Sequence, residues 1–200
     1  MEEYYYQISD NQLWAPWPLT IKPWTSDVKI AKSGYAILDK DFIKPELLNE
    51  MTRIGLSPRH VALFYILPNL GHGDIHIDST VQDNVRQGTD HCAVNWVVTN
   101  QAWMMNYFKP RSGSDDDVSY IENFSYHEIR EKKQYSYVKF KLEDMESVCR
   151  FNWDRNPVLI KTDVPHNVEM LSDTGRRWCA SIRFNVNDFD KLKSIFEAHY

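Results

Sequence analysis

The stretch Asp74-Ile75-His76-Ile77-Asp78 alternates ionisable and apolar side chains at a period of two. A strand sends successive side chains to opposite faces, so Asp74, His76 and Asp78 share one face and Ile75 and Ile77 the other. An imidazole and a carboxylate two positions apart on one strand can reach the same point in space. They make up two thirds of the two-histidine, one-carboxylate set that holds a non-haem ferrous ion and leaves coordination positions open. His-x-Asp pairs are common by chance, so the reading needs a third ligand from far along the chain. His166, in the string Val164-Pro165-His166-Asn167-Val168-Glu169, can supply it.

Residues 164–171 and 177–185 read as strands joined across Ser172-Asp173-Thr174-Gly175, a hairpin turn by composition. Paired symmetrically about that turn, His166 faces roughly Ser181, and Arg177, Cys179, Ser181 and Arg183 share its face. Two arginines on the ligand side of a sheet are costly to leave unpaired. A small dicarboxylate would satisfy one of them, because the rigid guanidinium fork matches a carboxylate better than an ammonium does.

The elements that must position these groups are mostly strands. Residues 35–38, 60–67 (HVALFYIL), 91–99 (HCAVNWVVT), 103–108, 135–140 and 157–161 carry the apolar runs or alternation of strands. Residues 68–73 read as the turn into the His76 strand, and residues 79–90 and 111–117 as polar loops. Residues 45–54 and 188–200 have the spacing of amphipathic helices, and Pro45 suits the first helical position. Residues 1–33 form an irregular aromatic arm anchored by Trp14, Trp17 and Trp24. Many short strands with a few helices predict a mostly β single domain with flanking helices, a sandwich or barrel.

The order His76-x-Asp78, a long gap, His166, then Arg177 resembles the iron(II)/2-oxoglutarate-dependent oxygenases. Supporting strings are Tyr65-x-x-Pro68, Val164-Pro165-His166-Asn167-Val168 and Arg177-Trp178-Cys179-Ala180-Ser181-Ile182. The resemblance covers residues 61–184 and looks most like the small single-domain hydroxylases of phage and marine microbial sequences. It implies a double-stranded β-helix, the jelly roll shared with cupins. It also implies Fe(II) on His76, Asp78 and His166, with 2-oxoglutarate and dioxygen as cosubstrates. By the same resemblance Arg177 would hold the distal carboxylate of 2-oxoglutarate, with Arg183 as the alternative anchor. His91 and Tyr65 would be further cosubstrate contacts, and Trp96, Trp103, Tyr107 and Trp178 candidate walls. His72-x-Asp74 is a second His-x-Asp match, ranked lower for its place in a turn. The activity implied is hydroxylation of a C–H bond, with oxidative decarboxylation of 2-oxoglutarate to succinate.

Two other readings stand beside this one. A cupin-like metalloenzyme would use His76, His91 and His166 without 2-oxoglutarate, and would need no carboxylate anchor at Arg177. A non-catalytic jelly-roll binding module would keep the metal as structure, although structural sites more often close their coordination sphere. The net charge of −5 over 200 residues argues against a nucleic-acid partner, leaving a small molecule or a protein side chain as substrate. The three cysteines, Cys92, Cys149 and Cys179, have no close pairing and read as reduced thiols. No apolar run is long enough to span a bilayer and the first residues do not resemble a signal peptide, so the expected location is cytoplasmic.

Overall fold

The structure, a computed structural model, describes residues 3–8, 12–22, 34–66, 74–82, 85–100, 102–112, 119–127, 132–153, 157–172 and 175–200. Trp24, the turn at 68–73 with His72, the acidic stretch at 113–117 and positions 173–174 lie outside them. The chain begins with β1 (Tyr5–Gln7), β2 (Gly34–Leu38), α1 (Pro45–Arg53), β3 (Pro58–Ile66), β4 (Ile75–Gln82) and β5 (Val85–Thr89). It continues through β6 (Cys92–Thr99), β7 (Trp103–Pro110), β8 (Ser119–His127), β9 (Lys132–Phe140) and β10 (Met145–Phe151). It ends with β11 (Val158–Lys161), β12 (His166–Met170), β13 (Arg177–Phe184) and α2 (Phe189–His199).

These strands build two antiparallel sheets. The first has the order β1-β11-β6-β13-β3-β2, and the second β10-β7-β12-β4-β9-β8 with β5 beside β4. Ala93, Val97, Val158, Ile160 and Cys179 of the first sheet pack against Trp103, Met105, Tyr107 and Phe151 of the second. The outer face of the first sheet carries a second core, where Val61, Leu63, Trp96, Trp178, Ala180 and Ile182 meet Leu47 and Met51 of α1 and Leu192 and Phe196 of α2. Both helices follow from local signals. Pro45 stands in the first turn of α1, and the Asp188 carboxylate caps α2 by accepting from the Lys191 amide at 2.9 Å.

Two expectations are corrected. The 164–171 and 177–185 strands do not form a hairpin: β12 pairs with β4 and β7, whereas β13 pairs with β3 and β6. Every residue of β13 is buried, a pattern that demands neighbours on both edges and a layer over both faces. β13 therefore takes the middle of the helix-covered sheet, and His166 faces it across the sandwich. Residues 79–90 are not a loop, because β4 continues to Gln82 and pairs with β5 from Ser79↔Thr89 to Gln82↔Val85.

The aromatic arm is structural where it is described. Trp14 is fully buried, its ring stacked 5.9 Å from Trp96 and edge-on to Phe196 at 5.1 Å. Its indole N–H donates to the Tyr200 hydroxyl at 2.8 Å, and its carbonyl accepts from the Trp96 indole at 2.6 Å. Trp14→Ala is expected to cost about 3–5 kcal/mol of stability. Denaturant unfolding checks this, and a loss below about 1 kcal/mol would mean that the arm is not part of the core. No helix of the described residues is long and apolar enough to cross a membrane.

Candidate metal centre

The period-two pattern around His76 folds as its chemistry requires. Ile75 and Ile77 are buried on the outer side of the second sheet with Phe108, Met145 and Val138. His76 and Asp78 therefore point inward. His166 opens β12 and is the direct cross-strand partner of both His76 and Tyr107. Neighbouring strands bring side chains at paired positions on one face into contact, and the two imidazole centroids are 4.6 Å apart. His76 Nε2 lies 3.5 Å and His166 Nε2 3.9 Å from Asp78 Oδ1. One ligand atom from each residue falls within 4.8 Å of the others, so the three could hold a metal ion.

The rings are already turned for that task. His76 Nδ1 is 2.8 Å from the Asp74 carbonyl, and His166 Nδ1 is 2.8 Å from the Val164 carbonyl. A carbonyl oxygen only accepts, so each Nδ1 carries a proton, and in the neutral ring Nε2 keeps its lone pair for the centre. Such outer contacts fix ring orientation and tautomer in metal sites. Asp78 is anchored through its amide, which donates to the Thr162 carbonyl at 2.8 Å, and its own carbonyl accepts from the Asp90 amide at 2.9 Å. The second oxygen of its carboxylate, Oδ2, accepts from Arg183.

Electrostatics treat the three donors differently. Burial and the neighbouring His76 push His166 down to about 4, so it is neutral over the physiological range. Burial would raise the Asp78 carboxyl, but Arg183 and the two histidines outweigh it and hold the group well below the usual carboxylate range. Burial also opposes charge on His76, yet the hydrogen bond and charge of Asp78 prevail and its pKa is raised. A proton therefore competes with metal at His76 while His166 is already free. Below the raised His76 pKa, and above the range where His166 charges, each metal bound displaces one proton. Affinity for Mn(II) should then rise by about tenfold per pH unit from pH 5 upward and level off above the His76 pKa. Titration in a buffer series checks this, and a flat profile would remove His76 from the ligand set.

The remaining candidates divide. Arg183 joins the centre through Asp78. Arg177 points inward from the far end of the same strand, roughly 20 Å of backbone away at about 3.3 Å per residue. It is 3% exposed, its guanidinium lies 4.4 Å from the Trp103 ring centroid, and its Nε–H has no hydrogen-bond acceptor. Among the described residues no carboxylate pairs with it. Burial lowers its pKa, partly offset by the Cys179 thiol.

Tyr65 and His91 are not brought to the centre. Tyr65 stands on the outer face of β3, its ring 5.5 Å from Trp178, within the helix-covered core. His91 is half-exposed and its Nδ1 meets Asp163 Oδ2 at 2.7 Å. A three-histidine centre of His76, His91 and His166 is thus not assembled. Of the expected walls, Trp103 and Tyr107 face inward, whereas Trp96 and Trp178 belong to the outer core. Asp74, which the alternation groups with His76, precedes β4 and pairs with Lys139 at 2.6 Å.

Sequence reasoning missed Asp90, which lies 3.4 Å from Arg183 and also accepts from Arg59, and Thr162, whose carbonyl holds the Asp78 amide. Neither belongs to a local pattern; both are placed by strand pairing. No protein-family model matches the chain, and neither the curated proteins nor the solved structures contain a match to it.

Proposed function

We propose that this protein is an iron(II)- and 2-oxoglutarate-dependent oxygenase that hydroxylates a C–H bond of a small molecule or a protein side chain. The observation that carries the reading is the pair of features on the inward faces: three oriented metal donors, and a buried arginine, Arg177, with which no carboxylate of the described residues pairs. The donor set fits iron(II) because two imidazoles and one carboxylate suit a borderline divalent ion and leave coordination positions for other ligands. Arg177 fits a carboxylate because a buried guanidinium that no acid of the described residues meets is costly until an anion arrives. The chain order of the strands supports a double-stranded β-helix. From β3 to β13 it crosses repeatedly between the sheets, with β3, β6, β11 and β13 in one and β4, β5, β7, β8, β9, β10 and β12 in the other.

On this reading His76, Asp78 and His166 hold iron, and Arg177 takes the distal carboxylate of 2-oxoglutarate. When bound, iron and 2-oxoglutarate supply activation of dioxygen, with decarboxylation of the cosubstrate to succinate and insertion of one oxygen atom into a C–H bond. The chain's own contribution is orientation. The carbonyls of Asp74 and Val164 aim both Nε2 atoms at one point. Cys179 and Ser181 lie between the two arginines on β13, and the Ser181 hydroxyl accepts from Arg183. Trp103 covers the face of Arg177 and keeps water from competing for its charge.

Anaerobic addition of 2-oxoglutarate to the iron(II)-loaded protein tests the proposal. The expected result is the weak visible charge-transfer absorption of the chelate, lost in His76→Ala. Iron binding without that absorption would overturn the cosubstrate assignment and favour a metalloenzyme that works without 2-oxoglutarate. Failure to bind iron would remove the enzyme reading altogether.

A further inference from the structure

Arg183 is 3% exposed and is held on three sides. One terminal nitrogen donates to Asp78 Oδ2 and the other to the Ser181 hydroxyl, which itself donates to Asn95 Oδ1. Its Nε lies 3.4 Å from Asp90 Oδ2, at ion-pair distance but without a hydrogen bond. Asp90 is fixed in turn. Its other oxygen accepts from Arg59, its amide donates to the Asp78 carbonyl at 2.9 Å, and its carbonyl accepts from the Thr162 hydroxyl. The two aspartates thus bracket one guanidinium and are tied to each other through the main chain.

The bracket divides the oxygens of Asp78. Oδ1 faces both Nε2 atoms, at 3.5 and 3.9 Å, and Oδ2 is engaged by Arg183. A carboxylate left to itself beside a divalent ion can ligate through one oxygen or both. Ligation through both would use one of the positions that a cosubstrate and dioxygen need.

We infer that Arg183, steadied by Asp90, is a positioning residue that confines Asp78 to ligation through Oδ1 and so keeps three of six metal positions open. This rests on the metal-centre reading above. A guanidinium so close to a divalent cation would normally repel it. Asp90 offsets part of that repulsion, its carboxylate being shared between Arg183 and Arg59. The same engagement assigns Arg183 to the metal ligand rather than to a cosubstrate carboxylate.

The test counts exchangeable waters on the Mn(II)-loaded protein by water-proton relaxation, with Mn(II) affinity and thermal melting measured on the same samples. Wild type is expected to carry three waters, and Arg183→Met two, with Mn(II) still bound, because the freed Oδ2 turns to the metal. Arg183→Lys, which returns a cation to Oδ2, should restore three. Asp90→Ala should give a value between two and three. If Arg183→Met does not fold, the pair Arg183→Met with Asp90→Asn removes both charges together and should also carry two. Three waters in every folded Arg183→Met form would overturn the inference and leave Arg183 as an ordinary structural ion pair. Three waters in Asp90→Ala alone would overturn the part given to Asp90. A wild-type protein that binds no Mn(II) would instead overturn the metal-centre reading beneath it.

Discussion

His166→Ala should leave a folded protein that has lost its metal. The ring is nearly buried and sits between His76 and Tyr107 on the central strands of the second sheet, so a cavity and some destabilisation are expected. The cost is limited by what the ring gives up in the metal-free protein. Burial and His76 already disfavour its charge, holding it down to about 4, and its hydrogen bond is to the Val164 carbonyl at its own strand's entry, with Asp78 Oδ1 at 3.9 Å. A loss of about 1 kcal/mol would lower the melting temperature of a chain this size by only 2–4 °C. Metal binding has no such cushion, since one of three donors disappears. Removing an outer partner of a metal ligand costs about 10–100-fold in affinity, so removing the ligand itself should exceed 100-fold. Iron-dependent turnover should fall with it. Isothermal titration with Mn(II), beside a thermal melt, separates the two effects. Wild-type affinity in a folded His166→Ala protein would show that the three residues are neighbours and not a centre.

The parts of this molecule legible in its sequence are those where one short stretch carries the whole signal. The alternation around His76, the continuous apolar runs of β3 and β6, and the spacing of Leu47 with Met51 or Leu192 with Phe196 each report a face, and the structure buries those faces. β5 escaped because Val-Arg-Gln-Gly-Thr has no apolar period; only main-chain pairing with β4 makes it a strand. β10 escaped for a different reason. A bulge between Ser147 and Cys149 interrupts its register with β7, so the inward and outward positions exchange part-way along and the period of two fails. The hairpin expected between β12 and β13 illustrates a third limit. A turn composition says that the chain reverses, not whether it stays in one sheet or crosses to the facing one. The inward face of β13 was nevertheless read correctly, because side-chain alternation survives the change of sheet. That is why Arg177 and Arg183 were found by their parity, whereas Asp90 and Thr162, which depend on distant pairing, were not.

Arg177→Met should move stability and cosubstrate affinity in opposite directions. The free protein holds this guanidinium 3% exposed, against the Trp103 ring, with its Nε–H unsatisfied. Replacing a buried cation with which no carboxylate of the described residues pairs by an apolar side chain of similar length removes a desolvation cost, and gains of about 1 kcal/mol or more have precedent for such exchanges. The melting temperature of the cosubstrate-free protein should therefore stay level or rise. The 2-oxoglutarate concentration for half-saturation should rise by about 10–100-fold, since a charge-assisted contact to a carboxylate contributes about 1.5–3 kcal/mol and each 1.4 kcal/mol is tenfold. Arg183→Met should show the other pattern. It strips Asp78 of its guanidinium, so the melting temperature falls, whereas half-saturation by 2-oxoglutarate in the anaerobic titration stays near wild type. A purely structural arginine at 177 would destabilise on removal and leave half-saturation unchanged. If Arg183→Met raises the 2-oxoglutarate requirement and Arg177→Met does not, the anchor moves to Arg183, and the bracket on Asp78 then has to release that side chain when the cosubstrate binds.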